Sequence, residues 1–195
     1  MKKNMILALL ALALLPVQAT AQEHWSCDTH AYRYDMTLYV ALVVGGKTVT
    51  DYSDYEVAAF VGDECRGVMQ PMTVTHEGET YYFGYLRARS NNTNGETLDV
   101  KLYSRTTGEE VALAYTTSFV ADTMEGLPSS PILLGRYLLG DSNGDGEVSL
   151  ADIMLVVDCI LNDDISGVIF MNSDIDRSGK LSLVDIMNIV SIVLN

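Results

Sequence analysis

Positive charge is scarce in this chain of 195 residues: 12 Lys+Arg face 26 Asp+Glu, a formal net charge of −14. Phosphate backbones and anionic bilayers would repel such a chain, so nucleic acid and membrane surfaces are poor partners. Histidine is scarce as well, and His24, His30 and His76 are scattered. The 3 Cys residues form no CxxC or Cys/His spacing of the kind zinc requires. No serine or cysteine stands in a nucleophile motif, and the carboxylates are spread too evenly to single out an acid/base pair. A non-catalytic protein is therefore expected. Hydrophobic residues make up 48% of the chain, the share of an ordinary globular protein, so the acidity does not signal disorder.

Long apolar runs are absent except at the start. Lys2 and Lys3 precede the apolar segment Met5 to Leu15, which ends at Pro16 and is followed by the small residues Ala19-Thr20-Ala21. That order is a secretory signal peptide over residues 1–21. Its apolar segment falls well short of the ~20 residues that span a bilayer. The mature protein is expected to be secreted (extracellular, at the cell surface or in the periplasm) with no membrane span. In an oxidising compartment Cys27 and Cys65 could pair and close a loop of about 39 residues, contributing roughly 4 kcal/mol. The spacing leaves thiols and disulfide equally open. Cys159 lies in an apolar stretch and reads as a small buried hydrophobe.

From Ala31 to Leu134 the grammar is that of strands. Met36, Leu38, Val40 and Leu42 alternate with more polar neighbours, the period of two of a half-buried strand. Val57 to Val61, the turn Gly62-Asp63-Glu64 and Cys65 to Met69 read as a hairpin. Further strands are expected over Thr80 to Arg89, Thr97 to Ser104, Glu110 to Phe119 and Pro131 to Leu134. Short strands at this spacing imply an immunoglobulin-like antiparallel β-sandwich over residues 22–137. Tyr81, Phe83 and Tyr85 share one face of a strand, and Tyr82 takes the other. Such rings suit either cross-strand packing or contact with sugar.

Beyond Gly140 the chain repeats itself. Residues 141–161 and 174–194 align without gaps at an offset of 33 and agree at nine of 21 positions, including Asp141/Asp174, Gly146/Gly179 and Asp152/Asp185. Each repeat opens with oxygen-bearing residues at places 1, 3, 5, 9 and 12, a backbone carbonyl at place 7 and glycine at place 6. These are Asp141, Asn143, Asp145, Gly146, Glu147, Ser149 and Asp152, then Asp174, Asp176, Ser178, Gly179, Lys180, Ser182 and Asp185. Alternating oxygens round a sharp glycine turn suit a hard cation, so two Ca²⁺ sites are expected. Ser178 replaces a carboxylate, and Arg177 and Lys180 add positive charge, which makes the second loop the weaker candidate.

No helix is expected before either loop, only after it. Duplicated loops, Asp at place 12 and exiting helices resemble a type I dockerin, over residues 138–195. The resemblance implies a calcium-dependent module that docks secreted proteins, often polysaccharide-degrading ones, to a cohesin-like or other envelope protein. It also implies a recognition surface at Leu150, Ala151, Val157 and Asp158, and at Leu183, Val184, Val190 and Ser191. The chain departs from the family pattern there, lacking the hydroxyl pair common at places 10 and 11 and the basic residue common near 18. The stretch Glu56 to Gly67 is similar to one in exported Bacteroidetes proteins with dockerin-like tails.

Both post-loop segments, Ile153 to Leu161 and Ile186 to Leu194, are apolar almost all round. Two short helices cannot bury that much surface by themselves, so either the sandwich or a partner must cover it. Their β-branched residues favour strands by intrinsic propensity, and the loops are expected to override it. The expected architecture is thus mainly β with a small α module. The expected function is that of a secreted binding or adhesion protein docked through its tail, or else an accessory of polysaccharide breakdown whose sandwich binds glycan.

Overall fold

The computed structural model describes residues 23–195. The expected signal peptide lies outside them. Two sheets face one another. The first carries β1 (Tyr34–Val44), β5 (Gln70–His76), β6 (Glu79–Ser90) and β10 (Ile132–Leu134) in the order β10-β1-β6-β5, with the short β2 (Lys47–Thr48) and β9 (Met124–Glu125) also on β1. The second runs β4-β3-β7-β8, from β3 (Tyr55–Val61), β4 (Glu64–Val68), β7 (Asn94–Ser104) and β8 (Glu110–Val120).

Alternation explains the core. Met36, Leu38, Val40 and Leu42 of β1 turn inward to meet Leu86 and Ala88 of β6. From the opposite sheet come Val57 and Ala59 of β3, Leu98 and Val100 of β7, and Leu113 and Phe119 of β8. Each fully buried large aliphatic side chain contributes roughly 1.5–3 kcal/mol.

Two strand expectations change. Pairing is mainly antiparallel, but β9 and β10 run parallel to β1, because the chain returns to that strand's free edge after β8. The strand β5 was not expected. Its Gln70-Pro71-Met72-Thr73 start is exposed throughout and lacks a buried face. Pro71 is tolerated because β5 is an edge strand.

The C-terminal part holds α1 (Leu150–Asn162), α2 (Phe170–Ser173) and α3 (Leu183–Val193), and α1 packs on α3. The fully buried Asn172 organises the crossing from the sandwich. Its side chain donates to the carbonyls of Arg136 (3.0 Å) and Asp141 (2.9 Å) and accepts from the amide of Leu138 (3.1 Å). Ile169, also fully buried, packs with Val43 and Ala114 of the sandwich. It sits over Gly135 and Gly144, where an added Cβ would fall 2.1 and 2.6 Å from its terminal carbon. The sandwich therefore covers the segment between the repeats. No helix of the described residues is long and apolar enough to cross a membrane.

Candidate metal loops and docking face

In the first loop Asp141 is buried and its carboxylate gathers the turn. One oxygen accepts from the amides of Gly144 (2.8 Å) and Asp145 (3.1 Å), and the other from Gly146 (3.0 Å). Asn143 Oδ1 accepts from the Asp145 amide at 2.8 Å, and Asp145 Oδ1 accepts from Glu147 at 2.9 Å. Gly146, at φ +93°, makes the sharp turn a side chain would resist. Asp152 closes the loop from the first turn of α1. Its Oδ1 accepts from Ser142 (2.8 Å) and Asn143 (3.2 Å), and its Oδ2 from the Ser149 amide (2.8 Å).

The second loop repeats this arrangement. Asp174 accepts from Ser178 (3.0 Å) and Gly179 (2.9 Å). Asp185 accepts from Ile175 (2.9 Å), Asp176 (3.3 Å) and the Ser182 amide (2.9 Å). Ser178 Oγ donates to the carbonyl of Lys180 at 3.1 Å, so the serine and the place 7 carbonyl lie side by side. Asp174, Asp176 and Asp185 each place a carboxylate oxygen within 4.8 Å of the others. Place 3 is Asp176 here and the amide Asn143 in the first loop, so the second loop gathers three carboxylates despite its weaker sequence. These oxygen donors fit a Ca²⁺ ion.

Asp152 and Asp185 each do two jobs. Ser149 and Ser182 cap α1 and α3, and the two aspartates sit at N3 of complete capping boxes. The carboxylate at place 12 therefore starts the helix as well as closing the loop, which is how apolar, β-branched segments come to be helical. One expectation fails here. The short helix α2 leads directly into Asp174, so only the first loop lacks a preceding helix, and burial of Ile169 and Asn172 fixes that turn.

Electrostatics separate the two loops. Burial pushes the Asp141 carboxyl above the ordinary value, against the lowering effect of its three backbone amides. Hydrogen bonding from Ser178 pulls the exposed Asp176 below it.

The helices bury Val156, Cys159 and Ile189. Of the residues expected to recognise a partner, Leu150, Ala151, Asp158, Leu183, Val184 and Ser191 are exposed, while Val157 and Val190 are half-buried between the helices and solvent. Sequence reasoning passed over Met154 and Met187, which are 59% and 71% exposed at equivalent places of the two repeats. Their identity across the repeat was the available signal, since core packing does not explain it.

A family model described as "Dockerin type I domain" matches residues 139–194. Over these residues the chain is similar to a dockerin domain. Domains of this kind bind calcium and dock to cohesin partners. No curated protein and no solved structure matches the chain. In this dockerin-like region the helix faces at Leu150, Met154, Leu183 and Met187 stay exposed, and the sandwich takes Ile169 instead.

Proposed function

We propose that this is an exported, non-catalytic protein whose dockerin domain, with one Ca²⁺ in each loop, docks it to a cohesin-like or other envelope protein. The residues Asp141, Asn143, Asp145, Glu147, Ser149 and Asp152 would hold one ion, and Asp174, Asp176, Ser178, Lys180, Ser182 and Asp185 the other. Calcium would neutralise the crowded carboxylates and so favour the folded loops over the unfolded chain. The tail needs this most, since residues 141–195 carry ten Asp+Glu against Arg177 and Lys180. The sandwich, taken as residues 22–137 and immunoglobulin-like in size, would be the cargo that docking positions.

The observation that carries this reading is the pair of capped helices with large apolar side chains still exposed: Leu150, Met154, Leu183 and Met187. An apolar patch left open on a folded domain marks an interface. Affinity capture from the envelope of the source cell, with calcium and with chelator, tests it. A partner retained in calcium and released by chelator is expected. Equal capture in both would sink the calcium-dependent docking.

A second reading gives the sandwich a glycan to hold. Tyr39, Phe83 and Tyr85 form a ring cluster on the side of the first sheet away from the core, with centroids 5.6 Å apart for Tyr39–Phe83 and 5.9 Å for Tyr39–Tyr85. Phe83 is buried in that cluster, Tyr39 and Tyr85 are half-buried, and the Tyr85 ring borders a cavity.

A further inference from the structure

The outer face of β6 changes character along its length. Tyr85, Arg87 and Arg89 alternate outward, and the N-terminal segment lies across them, leaving a cavity of about 310 Å³ bordered by all three. A second cavity of about 250 Å³, bordered by Tyr32 and Arg33, shares Thr29, Arg87 and Arg89 with the first. The first lies at the lower end of the ~300–1,000 Å³ usual for small-ligand sites and the second just below it, and together they would fall well within it.

Arginine is not expected to go begging in a chain with more than twice as many acids as bases. Arg66, Arg105 and Arg136 all pair with carboxylates, and Arg87 binds Asp35 at 2.6 Å. Among the described residues Arg33, Arg89 and Arg177 have no carboxylate within ion-pair distance. The first two border these cavities, and Arg177 lies apart in the second loop. Arg89 is half-buried, donates a 3.2 Å bond to the carbonyl of Arg87 and also interacts with the Cys27 thiol, which leaves the rest of its donors for a ligand. The carboxylates bordering the cavities are Glu23 and Asp35, and Asp35 is already held by Arg87.

We propose that the two cavities joined across Arg87 and Arg89 form one binding site for an anionic saccharide. The guanidinium forks of Arg33 and Arg89 recognise a carboxylate or sulfate, whose planar or trigonal oxygens match paired N–H donors. Tyr85 in one cavity and Tyr32 in the other wall the sugar rings. Tyr32 is held for this by Arg66, 5.0 Å over its ring, and by a hydrogen bond from its hydroxyl to Glu64. The net charge of the chain does not oppose a short ligand, because at physiological salt fields fade beyond about 8 Å and the local arginines dominate. A long nucleic acid would instead meet the acidic surroundings. The inference rests on the glycan reading of the sandwich and adds the charge of the ligand.

The test is calorimetric titration of the full mature chain, in saturating calcium, with four hexamers: hyaluronan-derived (carboxylate only), chondroitin sulfate (carboxylate and sulfate), cellohexaose (neutral) and hexaglutamate. Binding of one or both anionic sugars is expected, and the preference between the first two tells which anion is read. Arg33→Gln and Arg89→Gln should each weaken it at least about tenfold, the loss of a charge-assisted hydrogen bond. Arg33 is exposed, so its variant keeps the fold, and an unchanged thermal midpoint verifies that. Equal or better binding of cellohexaose overturns the anionic assignment and leaves the glycan reading standing. Binding of hexaglutamate alone, or affinity untouched in both variants, overturns the saccharide site. No binding to any probe removes both readings.

Discussion

Gly144 and Arg177 occupy the same place in the two acidic loops and take the same left-handed turn, at φ +73° and +56°. Their surroundings differ. Gly144 lies against the sandwich: its carbonyl accepts from the amide of Gly46 at 2.9 Å, and an added Cβ would meet Ile169 at 2.6 Å and Val43 at 3.0 Å. Arg177 is exposed. The repeat was thus free to diverge where only one copy is covered.

Opposite substitutions should therefore act oppositely. Gly144→Ala strains both backbone and packing and is expected to cost roughly 2–4 kcal/mol. Arg177→Gly removes a left-handed non-glycine residue and a cation beside the second loop. It should stabilise the metal-bound domain by about 0.5–1 kcal/mol and tighten calcium binding there. Denaturant unfolding with and without calcium measures both, and a tolerated Gly144→Ala would refute the close packing.

Place 12 can be divided into its two roles. Ser149→Ala removes the cap of α1 and keeps the carboxylate, so a loss of about 1 kcal/mol is expected with calcium still bound. Asp152→Ala removes both, and calcium should no longer bind the first loop. Titration calorimetry distinguishes them; retained affinity in Asp152→Ala would show that place 12 is not a ligand.

The paired acidic loops, the helix starts and most strands were legible because each rests on local chemistry: a repeated spacing of oxygen side chains, a capping serine, an alternating face. What was not legible depends on contacts made at a distance. The edge strand β5 has no buried face of its own, and its pairing with β6 creates it. The helix α2 exists because Asn172 and Ile169 are enclosed by residues far along the chain. Whether the sandwich would cover the apolar helices also lay beyond local pattern, and the answer turned on one buried isoleucine between the repeats.

Acidification should silence the loops in order. A raised carboxyl, such as Asp141, makes the metal-free fold hold its proton more tightly than the unfolded chain does. Its ionisation therefore costs stability above the folded pKa, and the cost vanishes below the ordinary value of 3.8. Asp176 has the opposite sign, stabilising above 3.8 and losing that as pH falls through its lowered value. Protons thus compete with calcium at Asp141 first. Asp185→Ala isolates the first loop and Asp141→Ala the second; titrated with calcium from about pH 7 to about pH 4, the first should fail at the higher pH. The reverse order would contradict the burial argument.

Glu56 gives the sandwich its own measurable anchor. This buried carboxylate accepts from the amides of His24 (3.0 Å) and Trp25 (2.6 Å) and pairs with Arg105 at 3.0 Å. It thereby fixes the N-terminal segment that roofs the arginine cavities, with Trp25 edge-on to Phe60 at 5.3 Å. Removing one partner of a buried pair typically costs about 3–5 kcal/mol, and the partial exposure of Arg105 places Glu56→Ala at the lower end of that range. The chain has one tryptophan, so its fluorescence reports this segment alone. A red-shifted emission in the variant at a temperature where the sandwich remains folded is the expected result, because the segment should detach before the core melts. Emission unchanged until global unfolding would mean that the strands, and not Glu56, hold Trp25 in place.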